Sequence, residues 1–419
     1  MPSPDREKRL SALEKVLQIS RDMVATSDLD ELLGVIIARS MELLEAERAT
    51  LFLYDADSDE LFSKIAAEAG EIRFPAGVGI AGAVVRSKQV LNVPDAYADE
   101  RFNRNIDRQT GFRTRNILAV PLLDYAGELV GVLEVLNKRR SGFDNDDITL
   151  AETLGAQAGV VIQRARLLEH YLEKQRMEQA LRIARQIQQD ILPKENPRIA
   201  GFDMAGWSSP ADETGGDIYD FLELGDGRWT FMLADATGHG IGPALVIAEA
   251  RAMLRALSGA DLDIPAVMAR VNDLLTVDLG QSRFVTCLFA LLDGPVGIVR
   301  YVSAGQGPII FYDRAADKFD ELPATSLPLG ILEGTEYNEQ VNRRLAAGDM
   351  MILTTDGFFE AADAEGELFG TERMCQIIRR CRDLSADEII QNLRQKLFEF
   401  TGPVPQADDL TAIIVKKRD

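Results

Sequence analysis

Between Gly159 and Pro193 the chain carries neither glycine nor proline. So long a stretch without a breaker favours one continuous helix, which Pro193 ends because its ring removes a donor and clashes with the preceding turn. Leu154, Ala158, Val161, Ala165, Leu168 and Leu172 recur along it in alternating steps of four and three, the spacing of an a/d seam. The next seam positions, Gln175 and Gln179, are polar. An apolar seam resumes in a shifted frame with Leu181, Ala184 and Ile191, and such a shift changes a supercoil locally. Two packings suit this pattern: a helix laid on its own domain, or a parallel two-chain coiled coil. The unbroken fit from Leu154 to Leu172 favours the second, and a homodimer through this helix is expected.

The helix divides the sequence into three parts, 1–143, 144–196 and 197–419. The first opens with helical periodicity (Leu10, Leu13, Leu17, Val24), then a second amphipathic run from Leu29 to Leu44, with Thr26 and Ser27 as N-cap candidates between them. Strand-like runs follow at 49–55 and 60–67, and those at 117–124 and 129–137 form a hairpin around Ala126-Gly127. A glycine-containing loop is expected at 77–82. The third part alternates apolar strands with two helical stretches, at 242–257 and 265–279. The whole reads as α+β, with layered sheets rather than a regular βαβ array.

The formal net charge of −21 argues against a nucleic-acid partner and against an anionic membrane surface. No apolar run is long enough to span a bilayer and the N-terminus lacks the apolar core of a signal peptide, so a cytoplasmic protein is expected. Three dispersed cysteines make no disulfide framework, and two histidines, His170 and His239, exclude His-rich zinc sites. A metal, if held, must be held by oxygen, which favours Mg²⁺ or Mn²⁺.

Acids recur at strand ends in the third part. Asp235 ends "WTFMLAD" and Asp356 ends "MMILTTD"; Asp217 follows Gly215-Gly216, and Asp408 and Asp409 precede "LTAIIV". Each alone is an ordinary solvated turn carboxylate. Together, with no lysine or arginine within two residues of any of them, they point to a shared cation site. Glycines beside them let backbone approach an ion without a Cβ in the way.

These motifs, in the order "GGDIYD", "ADATGHG", "SAGQGP", "LTTDGFFEA" and "QADDLT", resemble the metal-dependent protein serine/threonine phosphatases, and more narrowly the SpoIIE/RsbU branch of the protein phosphatase 2C (PPM) superfamily. "ARQIQQDILP" at 184–193 is similar to the regulatory helix leading into that domain. The resemblance implies a β-sandwich flanked by helices, two Mn²⁺ or Mg²⁺ ions, and hydrolysis of a phosphoserine or phosphothreonine on a partner protein of the anti-sigma-factor antagonist type. It implies that Asp235 touches both ions, with the Ala236 carbonyl helping on one. Asp217 would hold the second ion; Asp356 and Asp408 would hold the first, with Asp409 beside them. Asp235 and Asp217 would thus be the catalytic carboxylates, and Asp220 would support the turn. Where relatives often show "NAGH", Gln306 stands in place of the histidine; glutamine is no general acid, which keeps a phosphoprotein-binding pseudophosphatase as the alternative. His239 is expected to be structural. "GGDIYD" lacks the Glu-Phe pair of the diguanylate cyclase GGDEF loop.

Residues 78–138 resemble a GAF sensor domain of the kind found in cyclic-nucleotide phosphodiesterases. Asn137, Lys138, Phe143 and Asp147 match most of that subgroup's N-K-F-D-E signature, with Ile148 where the Glu would stand, and imply a Lys138–Asp147 salt bridge. A small-molecule ligand is a possible input. Arg104, Arg108, Arg113 and Arg115 either meet an anionic ligand or form a solvated loop; the loop is favoured.

Overall fold

The computed structural model describes residues 4–63, 72–104, 107–108, 111–238, 240–259, 261–280, 283–337 and 341–418. They form two compact units, 1–176 and 177–419.

The first unit is built on an antiparallel six-stranded sheet of order β3-β2-β1-β6-β5-β4. Its strands are β1 (Ala46–Asp55), β2 (Glu60–Ser63), β3 (Ile72–Pro75), β4 (Leu91–Val93), β5 (Ile117–Leu123) and β6 (Leu129–Lys138). Side chains alternate between its faces. Leu51, Leu53, Leu118, Val120, Leu133 and Val135 face helices α1 (Pro4–Ala25), α2 (Leu29–Leu43) and the first part of α4 (Asn145–Ile191). Phe52, Ala119 and Val132 face α3 (Gly79–Ser87) on the other side.

Leu154, Ala158, Val161 and Ala165 are buried in this unit's own core. The first half of the expected coiled-coil seam is therefore sheet-packing surface. Gly155 and Gly159 explain how: a Cβ at the first would lie 2.6 Å from a Val120 methyl, and one at the second would strike the Leu123 backbone. The helix thus rests directly on β5. From Leu167 onward, through Leu168, Tyr171 and Leu172, apolar side chains of α4 are exposed in succession, with Val160 exposed before them.

Two local expectations change. The N-cap of α2 is Asp28, whose carboxylate accepts from Glu31 N at 2.9 Å, rather than Thr26 or Ser27. The glycine-rich stretch at 77–82 runs into a helix, α3 starting at Gly79. Lys138 and Asp147 do form an ion pair, nearly shielded from solvent. Of the four arginines, Arg104 and Arg113 lie over the Tyr97 ring and Arg115 pairs with Glu47.

The strands of the second unit are β7 (Phe202–Ser209), β8 (Asp217–Gly225), β9 (Arg228–Ala236), β10 (Val285–Asp293), β11 (Ile298–Ala304), β12 (Ile309–Asp313), β13 (Lys318–Leu322), β14 (Val341–Arg344), β15 (Met350–Thr354) and β16 (Leu410–Lys417). They stack as two antiparallel five-stranded sheets, β14-β11-β10-β9-β8 and β13-β12-β15-β16-β7. Phe231, Leu233, Leu288 and Tyr301 from one sheet meet Met204, Phe311, Leu353 and Ile413 from the other between them. Helices α5 (Ile241–Leu257) and α6 (Ile264–Leu279) cover the outer face of the first. Helices α8 (Gly370–Cys381) and α9 (Ala386–Thr401) cover the second. Ile191 and Leu192, where α4 ends, pack on the α5/α6 side. Asp220 does not support a turn: it is buried on β8 (Asp217–Gly225) and pairs with Arg251 and Arg255 of α5, pinning that helix to the sheet.

Candidate functional site

The site lies where four strands end together. Asp217 opens β8 and faces Asp235 near the end of β9 (Arg228–Ala236), the two being directly paired in the ladder. From the other sheet, β15 (Met350–Thr354) runs into Thr355 and the short helix α7 (Asp356–Glu360), while Asp408 and Asp409 precede β16 (Leu410–Lys417).

Three glycines make this convergence possible. A Cβ on Gly216 would stand 2.5 Å from the Ala236 carbonyl oxygen and 3.3 Å from Asp235 Oδ1. One on Gly215 would strike the Asp409 carboxylate, and one on Gly357 the Asp409 carbonyl. The "GGD" stretch is thus a tight backbone approach that delivers Asp217, already on a strand, to its neighbours.

Hydrogen bonds then fix the acids. The Thr355 hydroxyl donates to Asp217 Oδ2 at 2.7 Å and accepts from Thr411 N at 3.0 Å. Asp409 is buried, and its carboxylate accepts from Ala211 N at 2.7 Å and Asp217 N at 3.3 Å, holding the chain that leads into β8. Asp408 is exposed, and its Oδ1 accepts from Asp409 N.

Gln306 is buried and spans the two sheets. Its Oε1 accepts from the Thr286 hydroxyl at 2.9 Å and its Nε2 donates to the Thr354 carbonyl at 3.1 Å. Thr286 is the ladder partner of Asp235, and Thr354 lies two residues before Asp356. Gln306 therefore links the neighbour of the strand that carries Asp235 to the strand that leads into Asp356. His239 lies outside the described residues.

Electrostatically the cluster is uncompensated. Burial, then the Asp235 and Asp409 charges, push Asp217 well above the ordinary carboxylate range. Burial, then Asp356, Asp408 and Asp409, push Asp235 up to about 7. Asp356 is raised by burial and by Asp408, and Asp409 chiefly by burial. No lysine or arginine figures among the charges acting on these four. As they stand, no three His, Cys, Asp or Glu side chains among the described residues are arranged to grip an ion. Still, hard oxygens, glycine-cleared approaches and mutual repulsion fit a divalent cation, whose charge would offset the desolvation. Thr355 and Gln188 were not legible as site residues, because each acts through a contact distant in sequence; Gln306 was marked by the histidine it replaces, but not its bridging contacts.

Gln188, near the end of α4, reaches the same turn. Its Nε2 donates to the Gly215 carbonyl at 2.6 Å and its Oε1 accepts from Gly215 N at 3.1 Å.

Residues 225–418 match the family described as Stage II sporulation protein E (SpoIIE), and residues 28–162 match the GAF domain family. The SiaA-PP2C domain of Pseudomonas aeruginosa shares the fold, with a TM-score of 0.52 and 23% identity over 59% of this chain and 99% of that one. A cGMP-specific 3',5'-cyclic phosphodiesterase of Drosophila erecta is 33% identical over 191 residues, covering 40% of this chain but only 17% of the relative. One from Drosophila mojavensis is 32% identical over 199 residues, 42% of this chain and 18% of the relative. The chain thus spans less than a fifth of the length of these curated relatives. No helix among the described residues is long and apolar enough to cross a membrane. The chain thus carries two family domains, a GAF domain over 28–162 and a SpoIIE-type phosphatase domain over 225–418, the latter with the fold of the SiaA PP2C domain.

Proposed function

We propose that this protein is a signal-regulated, metal-dependent phosphatase that removes phosphate from serine or threonine of a small partner protein of the anti-sigma-factor antagonist type. The observation that carries the reading is the Asp217–Asp235 ladder pair, the first buried and the second half-buried, set among further acids that raise both. Two Mn²⁺ or Mg²⁺ ions would be held by Asp217, Asp235, the Ala236 carbonyl, Asp356 and Asp408. Asp409 shapes the site from beneath through the amides of Ala211 and Asp217. When bound, such ions supply Lewis acidity toward a water and toward phosphoryl oxygens. The chain's own residues do the positioning. Thr355 fixes one oxygen of Asp217 so that the other can turn to a ligand, and Gln306 keeps the two sheets in register.

The regulated character rests on α4. It runs unbroken from Asn145 to Ile191, its Ala151, Leu154 and Ala158 lying in the core of the GAF unit, and Gln188 near its end grips the turn that carries Asp217. A shift of this helix would thus be felt at the acid cluster. Its exposed stripe of Leu167, Leu168, Tyr171 and Leu172 suits pairing with a second copy in a homodimer. A cavity of about 500 Å³ in the GAF unit, lined among others by Leu53, Phe62, Val130, Gln163 and Arg166, offers a small-molecule input against the same helix.

The test is phosphate release from a serine-phosphorylated anti-sigma-factor antagonist, with Mn²⁺ and with chelator. Mn²⁺-dependent release supports the reading; tight binding of the phosphoprotein without release would instead favour a pseudophosphatase scaffold.

A further inference from the structure

The acid cluster raises a problem of charge. A phosphomonoester is dianionic, and the protein groups around the site are carboxylates. Some cation of the protein should meet the substrate as it arrives. We propose that Arg283 does so, binding the phosphoryl oxygens of the substrate without being an ion ligand. This rests on the phosphatase reading and names a residue that the motifs did not mark.

Three observations place it. The ladder that pairs Asp235 with Thr286 and Ala236 with Val285 continues one step further, with Thr237 N donating to the Phe284 carbonyl at 3.1 Å. Arg283 is the next residue, so it stands opposite Gly238 at the rim of the site. Its Cα is about 10 Å along the strand from the level of Asp235, at roughly 3.4 Å per residue. An extended arginine side chain covers most of that distance.

Second, Arg283 is exposed, and among the described residues no hydrogen bond or ion pair holds its guanidinium. Several arginines nearby are taken up by structural pairs, Arg251 and Arg255 on Asp220 and Arg343 on Asp320, and are not available to a substrate.

Third, the guanidinium lies over Gly242, on the loop-to-helix passage that follows Asp235. A Cβ there would stand 3.5 Å from its Nη2. Glycine leaves the planar group room to turn toward the site mouth. A guanidinium fork can meet two phosphoryl oxygens at once, which a lysine ammonium cannot.

The experiment compares the full-length wild type, Arg283→Ala and Arg283→Lys, all loaded with Mn²⁺. Inorganic phosphate binding is measured by calorimetry, p-nitrophenyl phosphate turnover by absorbance, and Mn²⁺ half-saturation by titration. For Arg283→Ala, phosphate affinity and kcat/KM should each fall roughly ten- to hundred-fold, the scale of a lost charge-assisted contact, with Mn²⁺ half-saturation and melting temperature unchanged. Arg283→Lys should recover part of the loss. An alanine variant that matches the wild type in both phosphate affinity and kcat/KM would overturn the proposal while leaving the phosphatase reading standing. Arg283-dependent phosphate binding without any turnover in the wild type would do the reverse.

Discussion

Gln188 and Gly215 exchange two hydrogen bonds, side-chain amide to backbone amide, at 2.6 and 3.1 Å. The pair joins the last turns of a 47-residue helix to the turn that presents Asp217. It is a direct link from the end of α4 to the acid cluster.

Replacing Gln188 by alanine removes both bonds from the backbone of Gly215, a buried residue. We expect a stability loss of about 1–2 kcal/mol in urea unfolding. The larger effect should fall on the site: the Mn²⁺ concentration for half-maximal p-nitrophenyl phosphate hydrolysis should rise several-fold. An unchanged Mn²⁺ requirement would separate the helix from control of the site.

Gln306→Ala strands the Thr286 hydroxyl and the Thr354 carbonyl in the interior. Leaving buried polar groups unpaired costs about 1–3 kcal/mol, which chemical denaturation should read directly. Turnover should fall in step with Mn²⁺ affinity, without any change in the shape of its pH profile, because this side chain exchanges no proton.

Gly216→Ala would press a methyl onto the Ala236 carbonyl. The backbone must give way, at a cost of about 1–3 kcal/mol. Because the displaced carbonyl and Asp235 are both assigned to ion binding, Mn²⁺ affinity measured by calorimetry should drop at least tenfold, a larger effect than the change in stability.

In the metal-free protein, pH should act through Asp235. Its folded-state value, about 7, lies above its ordinary 3.8 because of burial and neighbouring carboxylates. Its contribution to stability is fully present below the ordinary value and is lost as pH rises through about 7. With chelator present, melting temperature should therefore decline between pH 5 and pH 8. Asp235→Asn should flatten that decline, and in the wild type so should saturating Mn²⁺.

Much of this site was legible because its acids sit at strand ends, where an apolar run abutting a carboxylate is visible in the sequence. Asp235, Asp356 and Asp408 needed no more than that. Asp217 was harder: "GGDIYD" reads as a turn, yet Asp217 is the first residue of a buried strand, because Ile218, Tyr219 and Phe221 are covered by facing layers. The seam beginning at Leu154 fits a coiled coil and a helix on a sheet equally well. Gly155 and Gly159, which a coiled coil does not need, were the signal for the second packing. Helix α9 also announced itself, through the Ser385/Glu388 capping box, a local pattern that a strand-centred reading passes over. Thr355 and Gln188 had no local signal, since each touches partners in other elements, and the "SAGQ" motif marked Gln306 without showing what it bridges.

The most direct test of the account is p-nitrophenyl phosphate hydrolysis by the full-length chain across a Mn²⁺ titration, set beside Asp217→Asn, Asp235→Asn, Asp356→Asn and Asp408→Asn. The account predicts turnover that is abolished by chelator, restored by Mn²⁺, and reduced at least a hundredfold in the Asp217 and Asp235 variants. Turnover that survives chelation, or that both variants retain, would contradict it.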